Sequence, residues 1–147
     1  ATGRGAGAVD PTLERKRNAV ATALRRVGSE TDPFELLCQL GGLEHAALVG
    51  AVLSAAAKRV PVVLDGAITL SAALVAVALA PPLSEHLIAS HAPAEPAGPI
   101  ALAHLGLVPI IDLQLRLGEG SGALLAVPII RAAADVVRHT VTLDQLG

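Results

Sequence analysis

Aromatic residues are almost missing from this chain: Phe34 stands alone, and Met, Trp and Tyr do not occur among its 147 residues. Ala, Val, Leu and Ile must therefore fill the interior, and side chains this small require closely packed helices. Cysteine is just as scarce. The single Cys38 excludes an internal disulfide framework and suits a reducing compartment, so a cytoplasmic setting is expected. No sign of charge dominates: the net charge is −2, with no basic block and no basic stripe interleaved with aromatics, which argues against nucleic acid as a partner. The nearest approach, Arg15-Lys16-Arg17 with Arg25-Arg26, reads as the solvated face of a helix. A membrane-length apolar run is also lacking. The longest uncharged stretch, Gly66 to Leu83, holds Thr69 and Ser71 and breaks at Pro81-Pro82, leaving a helical part shorter than the roughly twenty residues a span needs. No membrane partner is expected. His45, His86, His91, His104 and His139 show none of the spacings that set two ligands on one helical face, so neither a metal nor another cofactor is expected.

What is present is apolar, since 52% of the residues are hydrophobic, enough for one domain with a sizeable core. There is no signal-peptide pattern at the start, where Gly3, Arg4, Gly5 and Gly7 precede a turn rather than an apolar segment. With Ala in first place and no Met anywhere, the chain reads as processed or as a piece of something longer.

Asp10-Pro11 supplies a cap and a first-turn proline, after which Leu13, Val20, Leu24 and Val27 recur on one helical face until Gly28. Asp32-Pro33 opens a short helix through Leu40, and an Ala-rich helix is expected from about Leu43 to Lys58. Val60-Pro61-Val62-Val63-Leu64 is a short buried run ended by Asp65-Gly66, as for a parallel strand covered on both faces. A helix from about Thr69 to Leu79, a strand at Leu87-Ile88-Ala89 and its loop Ser90-His91 follow. The Pro- and Ala-rich stretch from Ala92 to Pro99 reads as a loop or lid, Ile100 to Leu105 as a short helix, and Leu107 to Leu117 as partly strand-like. The last helix is expected from about Gly122 to His139, with a kink or late start at Pro128. Alternating helix and buried strand predicts an α/β fold, a layered parallel sheet with helices on both faces in the Rossmann manner. In such sheets ligands bind beyond the carboxyl ends of the strands. Asp65-Gly66, Ser90-His91 and Gly118 to Gly122 would then line one cleft.

The segment Leu117-Gly118-Glu119-Gly120-Ser121-Gly122-Ala123 sets one carboxylate among three glycines before an apolar helical pattern. Glycines let a ligand approach the backbone, and a following helix aims N–H groups at the same place, as for an anionic or polarised ligand. The same pattern also serves as a plain strand-to-helix connector. Asp65 reads first as a strand terminator and second as a residue that orients loops.

Read in order, Gly3-Arg4-Gly5-Ala6-Gly7, Gly41-Gly42-Leu43-Glu44, Val60 to Gly66, Ala89-Ser90-His91-Ala92-Pro93-Ala94-Glu95 and Arg116 to Ala123 form a series that closely resembles the nicotinate-nucleotide:dimethylbenzimidazole phosphoribosyltransferases of cobalamin biosynthesis. The resemblance covers the whole chain but only the C-terminal part of that family, so residues 1–147 are expected to be the C-terminal part of a phosphoribosyltransferase-like α/β domain whose N-terminal half lies outside this sequence. It implies transfer of a phosphoribosyl group from nicotinate mononucleotide to 5,6-dimethylbenzimidazole, giving α-ribazole 5′-phosphate and nicotinate, and it implies a homodimer. The family's general base falls on Glu119. Lys16 is implied for the 5′-phosphate, followed by Arg4 in the Gly3 to Gly7 loop and by Ser90, with Gly118 and Gly120 shaping the substrate site. Two departures, Pro93 and Ala6, stand where the family commonly carries hydroxyls. Each lost hydrogen bond to a charged group is worth roughly 1.5–3 kcal/mol unless backbone N–H groups or water replace it. The alternative expectation is a truncated, non-catalytic α/β module that at most binds nucleotide phosphate.

Overall fold

A computed structural model describes residues 2–4 and 10–145. Six helices dominate: α1 (Asp10–Val27), α2 (Pro33–Leu40), α3 (Leu43–Ala57), α4 (Ala67–Leu79), α5 (Ala97–Leu105) and α6 (Ser121–His139). Between them run two short strands, β1 (Val62–Leu64) and β2 (Leu87–Ala89), and a 3₁₀ segment over Pro81–His86 leads into β2.

The strands pair in parallel, with Val62 opposite Leu87 and Leu64 opposite Ala89. The pairing extends past the carboxyl end of the strands, where Ser90 N donates to the Leu64 carbonyl at 3.0 Å, and a third segment joins β2 there, with Ile110 N donating to the Ala89 carbonyl at 3.0 Å. Of the strand-like stretch expected from Leu107 to Leu117, one parallel bridge between His91 and Ile111 is formed. Among the described residues the architecture is thus a helical body around a small parallel sheet.

The interior follows from the lack of large side chains. On α4, Ala72, Ala73 and Ala76 are fully buried, and their small size lets α3 and α5 pack against the helix. Val49 and Val52 of α3, Leu64 of β1, Leu87 of β2, and Leu102 and Leu105 of α5 complete one continuous cluster. The helix starts obey local chemistry. Asp32 accepts from Phe34 N and Glu35 N, each at 2.9 Å, with Pro33 in the first turn, as the cap-and-proline pattern predicts.

Several boundaries differ from the sequence expectation. The helix expected at Ile100 begins at Ala97, taking in the end of the Pro- and Ala-rich loop. The last helix does not start late, and Pro128 lies inside α6. That proline removes a bond to the carbonyl of Leu124, and Leu124 is largely exposed, so water can satisfy the freed oxygen. The apolar face of α1 is less covered than its periodicity predicts: Val20 and Leu24 are exposed, and the helix is tied to α2 through Arg26 Nη2, which donates to the Gln39 carbonyl. Among its described side chains α6 buries only Gly122 and Ala126, leaving Leu124, Leu125, Val136 and Val137 exposed.

Tight packing around α4 has a measurable consequence. Enlarging a fully buried alanine, Ala73→Leu, forces the neighbouring helices apart and should cost about 1–3 kcal/mol of unfolding free energy, read as a lower urea midpoint.

Candidate active site

The parallel arrangement places the turns after β1, after β2 and before α6 around one cavity of about 770 Å³. Its walls include Val63, Asp65, Gly66 and Thr69 from the β1–α4 crossover, His91, Pro93 and Glu95 from the segment after β2, and Leu115 to Gly120 from the loop before α6. Gly3 and Lys16 close it from the N-terminal side. Turns far apart in sequence thus meet as the rule for parallel sheets predicts.

Glu119 sits on an unusual backbone. Gly118, Glu119 and Gly120 all have positive φ, at 78°, 57° and 80°, and Ser121 N closes the turn by donating to the Gly118 carbonyl at 3.0 Å. Positive φ at both central positions is the type I′ geometry. Glycine is required at Gly118 and Gly120 for this conformation and not for room, because a Cβ at either would meet open space. Glu119 has no such freedom, and the left-handed region costs a residue of its kind about 1 kcal/mol. Glu119 is exposed and is one of the residues that form the cavity wall.

That turn is held by Asp65. Its buried carboxylate accepts from Gly120 N through Oδ2 at 3.1 Å and from Ala123 N through Oδ1 at 3.0 Å. Asp65 is itself fixed from behind, since its own N–H donates to Thr69 Oγ1 at 2.8 Å and Thr69 Oγ1 donates to the Gly66 carbonyl at 2.9 Å. His91, also buried, brings Nδ1 to 3.1 Å from Ser90 Oγ and 3.9 Å from Asp65 Oδ1. The ring lies so close to α6 that a Cβ at Gly122 would overlap it. Gly122 is therefore the point where close approach, and not backbone conformation, demands glycine.

These bonds revise three sequence expectations. Asp65 orients the glycine turn and does not merely end a strand. Two of the N–H groups expected to await a ligand at the start of α6, those of Gly120 and Ala123, already serve Asp65. Gly120 thus shapes the wall through its conformation, its amide being committed. Ser90, expected to touch a phosphate, is fully buried with its hydroxyl 3.1 Å from His91 Nδ1, and it is not among the residues of the cavity wall.

The remaining candidates divide. Lys16 reaches the cavity, with Nζ donating to the Arg4 carbonyl at 3.1 Å. Arg4 is exposed and meets Lys16 through its backbone, while Gly3 beside it forms wall against Glu95 and Pro96. Gly5, Ala6 and Gly7 lie outside the described residues. Sequence reading passed over Thr69, Glu95 and Arg116 as wall residues. For Thr69 a signal existed, a hydroxyl placed shortly after Asp65-Gly66 where it can bond back to the turn. Among the described residues no three His, Cys, Asp or Glu side chains gather as they would to hold a metal ion, and no helix is long and apolar enough to cross a membrane.

Comparison with known proteins places this geometry in context. A family model described as phosphoribosyltransferase matches residues 1–147. The nicotinate-nucleotide–dimethylbenzimidazole phosphoribosyltransferase of Salinispora tropica is 52% identical over 147 residues, which are 99% of this chain and 40% of that protein. The protein of the same name from Aromatoleum aromaticum is 44% identical over 146 residues, covering 99% of this chain and 42% of its own length. The crystal structure of CobT from Thermus thermophilus matches with a TM-score of 0.91 at 43% identity, over 99% of this chain and 44% of that one. The chain spans less than half the length of each of these relatives.

The contact between Gly122 and His91 gives a direct check. Gly122→Ala must displace the ring or the start of α6, and it should lower stability by about 1–3 kcal/mol in denaturant unfolding while the His91 ring resonances shift in NMR spectra.

Proposed function

This chain belongs to the nicotinate-nucleotide–dimethylbenzimidazole phosphoribosyltransferase family, and on that premise we propose that it carries the catalytic base for phosphoribosyl transfer from nicotinate mononucleotide to 5,6-dimethylbenzimidazole. The products are α-ribazole 5′-phosphate and nicotinate, a step in assembling the lower ligand of cobalamin. The observation that carries this reading is the position of Glu119, on a left-handed turn in the wall of the cavity where the turns after β1 and β2 converge.

In the proposed step one ring nitrogen of the benzimidazole attacks the anomeric carbon of the ribose. Its other nitrogen bears a hydrogen that becomes acidic as the bond forms, and the Glu119 carboxylate accepts that proton. The bond from the anomeric carbon to the pyridinium nitrogen breaks, and its electron pair returns to the ring as nicotinate leaves, so the departing group needs no acid. Attack opposite the leaving group inverts the centre, converting a β-linked donor into an α-linked product.

The wall is mixed in charge, with Lys16 and Arg116 facing the same cavity as Glu95 and Glu119. Lys16 is proposed for the 5′-phosphate. Arg4, one residue outside the wall, is a weaker candidate for the same group, and Ser90 contributes by holding His91 in place. Gly118 and Gly120 shape the wall near the reacting atoms.

The same proposal includes a cytoplasmic setting, in keeping with the free thiol of Cys38, and a homodimer, in keeping with the exposed apolar side chains of α6. It also takes β1 and β2 as part of a larger layered parallel sheet, an idea supported by their parallel pairing and by the bridge at Ile111. The chain is read as the C-terminal part of its domain.

Nicotinate release from nicotinate mononucleotide and dimethylbenzimidazole tests the reading. Glu119→Gln should lower kcat by about 10²- to 10⁴-fold with little change in donor affinity. Equal turnover by both forms would remove Glu119 from its role. Donor binding without nicotinate release in the unaltered chain would favour a non-catalytic nucleotide-binding module.

A further inference from the structure

We infer that Asp65 is a positioning residue for the Glu119 carboxylate, setting the direction from which the base meets the acceptor. The inference rests on the transferase reading above but is carried by separate observations.

The Gly120 N–H belongs to the peptide unit that begins with the carbonyl of Glu119, so fixing it fixes ψ of Glu119 and with it the direction of the Cα–Cβ bond. Asp65 Oδ2 holds that N–H at 3.1 Å. Asp65 Oδ1 holds Ala123 N at 3.0 Å, one helical turn further on, so one carboxylate grips both the turn and the first turn of α6. The two bonds join residues far apart in sequence, and Glu119 occupies a backbone region that its own side chain disfavours. Local preference therefore does not maintain the turn, and the carboxylate from the end of β1 supports it.

Only an acid of this length suits the position. An amide at Asp65 presents one oxygen and one NH₂ group, so in either orientation one of the two backbone N–H groups faces a donor and loses its acceptor. A buried site offers little water to replace it, since Asp65 is 7% exposed. Thr69 restrains the Asp65 backbone, and His91 packs against Gly122 with its Nδ1 3.9 Å from Asp65 Oδ1, so the end of β1 and the start of α6 each have a second contact beside the clamp. A general base works only when held in line with the proton it removes, and displacement by about 1 Å can cost on the order of a hundredfold in rate.

The test uses the 147-residue chain with Asp65→Asn, Glu119→Gln and the double variant. Asp65→Asn should lower kcat for nicotinate release about a hundredfold while KM for nicotinate mononucleotide stays within about threefold. In the Glu119→Gln background the same change should have less than about a threefold effect, because a misplaced base and an absent base are equivalent. A purely structural contribution would add in full there and would overturn the inference, as would an unchanged kcat in the single variant. Amide hydrogen exchange at Gly120 and Ala123 should quicken at least about tenfold in Asp65→Asn. If the unaltered chain releases no nicotinate, the transferase reading fails, and unchanged exchange at both amides then separately sinks the role of Asp65. Should Asp65→Asn not fold, Thr69→Val, which removes the hydroxyl behind Asp65, should give the same pattern at about a tenfold loss of kcat, and wild-type rates would count against it.

Discussion

A buried carboxylate that accepts two backbone N–H groups from a distant turn is the constraint on which this site depends. Asp65 leaves water at the end of β1, and burying an ionised group is tolerable only when its oxygens are satisfied. The amides of Gly120 and Ala123 supply that satisfaction, and in doing so they bind the start of α6 to the sheet. On that side of the cavity wall the amide of the left-handed turn is bound to Asp65, Glu119 beside it lines the cavity, and Gly122 at the start of α6 lies against His91.

The same constraint clarifies how a core without aromatic side chains can support a defined site. Ala72, Ala73 and Ala76 let α4 lie close between its neighbours, and α4 is the helix that the β1 crossover enters. Thr69 on that helix ties the crossover turn to its first residues. The site is thus held by close backbone packing and hydrogen bonds, where a core with bulky side chains would use their contacts.

The expected alternation of helices with strands is present, but the sheet is small and the apolar run that holds its first strand is not covered on both faces, Val60 being exposed and Val62 and Val63 only half-buried. Asp32 at its cap, the alanine-rich helices and both apolar strand runs were legible because each is encoded by neighbours in the chain. The late start that Pro128 suggested for the last helix does not occur, since the freed carbonyl belongs to Leu124, an exposed residue. The uncovered faces of α1 and α6 were likewise invisible, because periodicity marks which side of a helix is apolar without saying what lies against it.

For the site itself, the residues alone singled out Glu119 by its glycine neighbours, and the ordered motifs identified the family. Those signals are local in kind, resting on backbone freedom and on the order of short segments. Tertiary structure decided the rest: that Asp65 clamps the turn, that the N–H groups of Gly120 and Ala123 are already committed, that Ser90 faces His91 and that Lys16 reaches the cavity. Each of these is a hydrogen bond or an exposure, and both depend on which groups compete for the same neighbour after the chain has folded. A one-dimensional pattern records the donors and acceptors but not the pairs they form.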